Sequence, residues 1–250
     1  MNSIFEKRYK KTHHKAYNLA IFRNEKSIAK LLKNYPSIGL ITPLSMSIYS
    51  DDQNNINIST LSLEGMARIT KIPVSNPDLI EYHKLLDIAL HTALPKGKYL
   101  ERDAKVKSET KNLVSEFTTE FDLEDGDTYV DAKEGFKEEF ESEIGSVGFL
   151  VPKSYNLLES IKQSTYDFYD TYSIIRFNVI FPVSKDHPDA GSYAPFSLAI
   201  YKKKDEDTIH VSFPSITNWA KDLNISDKEA LAEIDKTQNM ISGILEELTE

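Results

Sequence analysis

The chain contains no cysteine, and that absence removes disulfides, thiolate zinc sites and cysteine nucleophiles together. It leaves the compartment open, because exported proteins can also lack cysteine. Long apolar runs are missing too. The longest, YSIIRFNVIF, is broken by Arg176 and Asn178 and falls far short of the ~20 residues that span a bilayer, so no membrane insertion is expected. Positive charge is in deficit: 30 Lys and Arg stand against 39 Asp and Glu, a formal charge of -9. Such a balance opposes attraction to phosphate backbones and sets nucleic acid aside as a partner. The stretch MNSIFEKRYKKTHHKAYNL is basic but has neither the apolar segment nor the small-residue cleavage site of a signal peptide. A serine-nucleophile elbow, a zincin helix, a phosphate loop and a glycine fingerprint are all absent, so no catalytic residue and no cofactor is assigned.

What is present is the composition of a globular protein. Hydrophobic residues make up 40 % of 250 positions, with 13 Tyr, 12 Phe and one Trp, enough to bury a sizeable core in one large domain or two ordinary ones.

The chain carries nearly the same passage twice. PLSMSIYSDDQNNINIST and PFSLAIYKKKDEDTIHVSF each open with Pro, alternate apolar residues up to a Tyr, pass through a polar cluster and alternate again. Both read as hairpins. Tyr49 and Tyr201 are 152 residues apart and Ile58 and Val211 are 153 apart, a difference that one turn residue accounts for. Short helical segments follow, with Met66 at the position of Trp219. Longer helices come next. One is capped by Asn76 with Pro77 in its first turn; the other opens on Ser226 and Glu229, the spacing of a capping box. In the second, Leu231, Ile234, Ile241, Leu245 and Leu248 form a stripe suited to packing on a sheet.

Upstream of its hairpin the second copy reads as a strand in LVSEFTTEFDL, a helix in TYVDAKEGFKEEFESEIG, a strand in VGFLV and a buried strand in YSIIRFNVIF. The first copy offers only AYNLAIF against the last of these. A front strand-helix-strand is expected to be missing from it, and an upstream extension carrying an export signal would place the protein outside the cytoplasm.

YNLAIF with YPSIGLITPLSMSIY, and VIFPVSKDHPDAGSYAPFSLAIY in the second copy, resemble the bacterial domain-of-unknown-function family 302 in its tandem form. The resemblance implies compact α+β domains with a helix-backed antiparallel sheet. It implies no activity.

Candidate sites are few. His83, Asp87 and His91 follow at intervals of four, as metal ligands on one helix side would, but they border the Leu79, Leu86, Leu90 stripe, where polar residues mark the solvated edge. No metal is assigned. His13 and His14 are adjacent and do not converge. Asp122, Glu124, Asp125, Asp127 and Asp131 surround Gly126, yet an EF-hand register would put Phe121 at the first ligand position. SKDHPDAGSYAP, residues 184–195, reads as a loop with Asp186, His187 and Asp189 as a possible acid/base set. The aromatic run of Tyr166, Phe168, Tyr169 and Tyr172, with Trp219, His210 and Arg176 from neighbouring elements, is the best candidate for ligand contact.

The expected architecture is therefore α+β: two related units, residues 1–107 and 108–250, each an antiparallel sheet with helices on one face, meeting through equivalent elements. The expected role is non-enzymatic binding of a small apolar or aromatic ligand or of a partner segment, through Trp219, Tyr166, Tyr169, Tyr172, Arg176, His187 and His210. An interaction module without a ligand and an unrecognised hydrolase are the alternatives.

Overall fold

The computed structural model describes residues 1–250 except 101–112, 122, 124, 125, 127 and 162. The expected boundary between residues 107 and 108 lies outside the described residues, as do four of the five acidic side chains weighed for calcium. The fifth, Asp131, forms a capping box with Thr128 at the start of a helix.

The order of elements is α1 (Asn2–Tyr9), β1 (Tyr17–Phe22), α2 (Glu25–Leu32), a 3₁₀ helix Pro36–Ile41, β2 (Leu44–Ser50), β3 (Ile56–Thr60), α3 (Leu63–Thr70) and α4 (Pro77–Ala93). It continues with β4 (Val114–Glu120), α5 (Tyr129–Ser146), β5 (Leu150–Asn156), β6 (Tyr166–Ile175), α6 (Phe177–Asp186), a second 3₁₀ helix Pro188–Ser192, β7 (Phe196–Lys203), β8 (Thr208–Pro214), α7 (Asn218–Asp222) and α8 (Lys228–Thr249). The fold is α+β. Among the described residues no helix is long and apolar enough to cross a membrane.

The strands form two antiparallel sheets, a three-stranded one in the order β1-β2-β3 and a five-stranded one in the order β4-β8-β7-β6-β5. Their central ladders agree in register. Tyr17 pairs with Tyr49 and Ile48 with Ile58 in the small sheet; Tyr169 pairs with Tyr201 and Ile200 with Val211 in the large one. The large sheet adds β4 outside β8 and β5 outside β6, joined by α5. These are the strand, helix and strand expected to be missing from the first half.

Several expectations need correction. YSIIRFNVIF is not one strand: β6 ends at Ile175 and the chain turns into α6 at Phe177. After Arg176 the buried residues are Phe177, Val179, Ile180, Val183 and Ser184, one broad face of a helix, so helical packing overrides the β-branched composition. The counterpart of AYNLAIF is consequently the stretch around Tyr169, not YSIIRFNVIF. Residues 184–195 are mostly helical rather than a loop, ending α6 and forming the second 3₁₀ helix. A matching helix, α2, fills the same place in the first half, capped by the Asn24 side chain, which accepts from the Ser27 amide at 3.0 Å. The cap of α8 is Asp227, whose carboxylate accepts from the Ala230 amide at 2.9 Å; Ser226 lies one residue outside. VGFLV forms only the start of β5, which runs to Asn156.

Packing follows strand alternation. Phe196, Leu198 and Ile200 of β7 belong to the larger core, beneath α5, α6 and α8, where Ile234, Ile241 and Leu245 of α8 are fully buried. Ala199 and Tyr201, on the opposite face, belong to a second core with Ile38, Ile41 and Leu44 of the first half. That second core also takes Tyr155, Leu157, Tyr166 and Tyr169, while Phe5 and Tyr17 from the N-terminus join the first. Neither half owns its core outright.

Candidate functional site

The two halves meet through reciprocal contacts. The 3₁₀ helix of each half lies on the sheet of the other, Pro36–Ile41 on β7 and Pro188–Ser192 on β2. Gly39 is seated where a Cβ would fall within contact of the Tyr169 hydroxyl and 2.9 Å from the Ala199 Cβ. Gly191 is seated where a Cβ would fall 2.5 Å from both Leu19 and Ser47. Ser197 Oγ donates to the Pro43 carbonyl at 2.9 Å and Ser45 Oγ donates to the Pro195 carbonyl. Both prolines follow cis peptide bonds.

Of the residues singled out from sequence, the structure gathers three. Tyr166 and Tyr169 lie edge to face at 5.3 Å, Tyr169 stacks on Tyr201 at 4.9 Å, and Tyr201 stacks on His210 at 4.8 Å. This aromatic row crosses β6, β7 and β8 on the side facing the first half. Tyr166 donates to the Leu32 carbonyl at 3.1 Å, and Tyr169 donates to the Pro36 carbonyl. His210 Nε2 lies 2.9 Å from Glu206. Burial pushes the Tyr166 hydroxyl up to about 12, helped by the nearby Glu206 charge. It holds Tyr169 well above the usual phenol range.

The other four lie elsewhere. Tyr172 points to the opposite side of the large sheet, where it donates to Glu141 at 3.0 Å and meets Phe140 edge to face. Arg176 lies between β6 and α6 and is buried, donating to Glu233 at 2.7 Å and to Thr237 at 2.9 Å. His187 sits between α6 and the second 3₁₀ helix. Trp219 is buried in the larger core, stacked on Tyr193 at 6.0 Å.

The helical histidines sit at the rim of α4. His83 Nδ1 lies 3.4 Å from the Asp87 carboxylate, His91 Nδ1 lies 2.9 Å from the Asp87 backbone carbonyl, and Tyr99 donates to the same carboxylate. A shallow open hollow on this face is lined by Lys84, Asp87, Ile88, His91 and Thr92. Among the described residues no three His, Asp or Glu side chains are grouped so as to hold a metal ion.

Sequence reasoning missed a buried charge group beneath α5. Asp170, 3 % exposed in the middle of β6, lies 3.0 Å from Lys133 and 3.3 Å from Lys137. Lys133 also reaches Glu134 at 2.8 Å. The hydrogen bond from Lys133 holds the Glu134 carboxyl below its usual range. The signal was available: two lysines four apart on one helix, and an acid in the middle of a strand rich in aromatic residues. A buried pair of this kind is costly to break but weak as a source of net stability.

A two-sheet α+β protein, with its halves interlocked through glycine, serine and tyrosine contacts, is the class this geometry defines. Residues 4–93 match the family model described as "Domain of unknown function DUF302", the family that YNLAIF and YPSIGLITPLSMSIY resemble. A crystal structure described as an uncharacterized conserved protein DUF302 from Bacillus stearothermophilus is similar at a TM-score of 0.44 and 12 % identity, covering 56 % of this chain and 100 % of that one. No curated protein matches the chain.

Proposed function

We propose that this chain is a non-enzymatic interaction module built from two related units, residues 1–107 and 108–250. In it the second unit closes its own sheet, and the first leaves β3 and the apolar side chains beside it for a polypeptide segment. One comparison carries the reading. Ile56 and Ile209 hold the same place in the two ladders, one step beyond Ile58 and Val211. Ile209 is 0 % exposed under β4 and the helices, whereas Ile56 is 48 % exposed. Covering an isoleucine fully is worth about 1.5–3 kcal/mol, so a segment laid here gains from Ile56 and from half-buried Ile58, Ile48 and Met46 together.

Of the two kinds of occupant expected from sequence, a polypeptide is better supported than a small molecule. The aromatic side chains suited to a small ligand already have packing partners, Trp219 with Tyr193 and Tyr169 with Tyr201. A displayed random-peptide library selected on the immobilised chain tests the reading. Enrichment of peptides with apolar residues at alternate positions, lost on Ile56→Lys, is the expected result. Selection that is unaffected by Ile56→Lys, or that yields no peptide family from a chain that sediments as a monomer, overturns it.

A further inference from the structure

Edge strands invite pairing, and proteins usually blunt them with charge or proline. The outer strands of the large sheet follow this practice. β4 carries Glu116 and Glu120, and β5 carries Pro152 and Lys153. β3 does not. Its sequence is Ile-Asn-Ile-Ser-Thr, with no charged residue and no proline. Among the described residues no strand pairs with its outer side.

The same place in the large sheet shows what kind of element fits. β8 receives β4 there as an antiparallel strand, with Phe117 opposite Val211, and Val211 is the ladder equivalent of Ile58. An antiparallel strand is therefore the geometry this edge supports. The sequence of β3 is complementary to itself in that geometry. If two β3 strands pair about Ile58, Ile58 meets its own copy and Ile56 meets Thr60 on one face, while Asn57 meets Ser59 on the other. Apolar faces apolar or a β-branched methyl, an amide faces a hydroxyl, and no like charges oppose each other. The apolar face so formed is continuous with Ile48 and Met46 of β2 on both sides, because Ile48 pairs with Ile58 and Met46 with Thr60.

We propose that the partner is a second copy of this chain, joined β3 to β3 about a twofold axis, so that two three-stranded sheets become one six-stranded antiparallel sheet. This rests on the interaction reading above and names the occupant of the same edge. Each pairing shields one flank of the exposed Ile56 against Thr60 of the other copy and satisfies backbone groups that an edge strand otherwise leaves to water.

Sedimentation velocity of the full chain over a hundredfold concentration range tests it. The mass is expected to rise towards twice 28.5 kDa, more readily at higher salt, because no ion pair forms the contact and salt screens the repulsion between two chains of formal charge -9. Ile58→Lys, which sets two ammonium groups across the axis, should hold the mass at that of one chain. Ile56→Lys, at a position already half exposed and so harmless to the fold, should weaken association at least tenfold. Ile88→Lys on α4, at a site 54 % exposed, should leave it unchanged. Amide exchange in residues 56–60 should slow as concentration rises. A chain that is monomeric at every concentration overturns the proposal, and so does a dimer that survives Ile56→Lys or is lost on Ile88→Lys. A monomer that still selects peptides through Ile56 overturns the second-copy proposal alone and leaves the interaction reading standing.

Discussion

Ser197 donates its hydroxyl to the carbonyl of Pro43 at 2.9 Å, and the bond is returned by Ser45 to Pro195. Each partner lies 152 residues from its counterpart in the other bond. Both serines are buried, so removing a hydroxyl strands a carbonyl that water reaches poorly. Ser197→Ala and Ser45→Ala are each expected to cost about 1–2 kcal/mol, read as a fall of about 2–8 °C in the thermal midpoint for a chain of this size. Because the bonds are reciprocal and close, the double variant should depart from additivity. Two unmoved midpoints would show that these contacts do not hold the halves together.

Glycines separate interface from surface. Gly39→Ala and Gly191→Ala place a methyl against Ala199 and Tyr169, or against Ser47 and Leu19, and each should destabilise by about 1–3 kcal/mol through overpacking. Gly243 lies inside α8 with open space around it. Gly243→Ala should stabilise by about 0.5–1 kcal/mol through helix propensity. Urea unfolding of the three variants decides whether sign and order are right.

Buried tyrosines predict steep alkaline unfolding. Burial raises the hydroxyls of Tyr17, Tyr82 and Tyr169 well above the ordinary value of 10.0. Above that value the unfolded chain releases these protons while the folded chain keeps them. The contribution is therefore fully present below about pH 10 and is lost as pH rises beyond it. Three such groups give a slope of about 4 kcal/mol per pH unit. Tyr82, whose hydroxyl is buried without a hydrogen-bond partner, isolates the effect. Tyr82→Phe should lower the alkaline slope by about 1.4 kcal/mol per pH unit while leaving stability at neutral pH equal or higher, since an unsatisfied polar group is removed. A slope unchanged in Tyr82→Phe would contradict the assignment.

Trp219 is the sole indole, and it is packed in the larger core. Its emission should be blue and resistant to aqueous quenchers, and a broad screen of apolar and aromatic compounds should leave the spectrum in place. Trp219→Met should cost about 1–3 kcal/mol, because methionine refills the space only in part. A compound that shifts the emission and binds less well to Trp219→Met would favour the small-ligand reading over the polypeptide one.

Much of the architecture was legible in residue order. The alternation of Leu44, Met46 and Ile48, and of Phe196, Leu198 and Ile200, marks β2 and β7, and the cap at Asn76 marks the start of α4. The place where β6 becomes α6 was not legible. Phe177 to Phe181 is rich in residues that suit either strand or helix, and the helix wins because Ile180 and Val183 reach the larger core only at helical spacing. The aromatic row is half legible: Tyr166, Tyr169 and His210 stand out as aromatic candidates, whereas Tyr201, which stacks between Tyr169 and His210, stands out only as the end of a strand.

By itself the sequence determined what short-range physics controls: strand period, helix caps, turn composition, the charge balance and the repetition that links Tyr49 to Tyr201. Only the tertiary structure decided which faces are covered. Gly39 fits against Ala199, Gly191 fits against Ser47, Asp170 finds Lys133, and Ile56 stays open where Ile209 is closed. Each of those outcomes depends on elements brought together across the chain, and no local pattern carries the information of what lies above a side chain once the sheets have stacked.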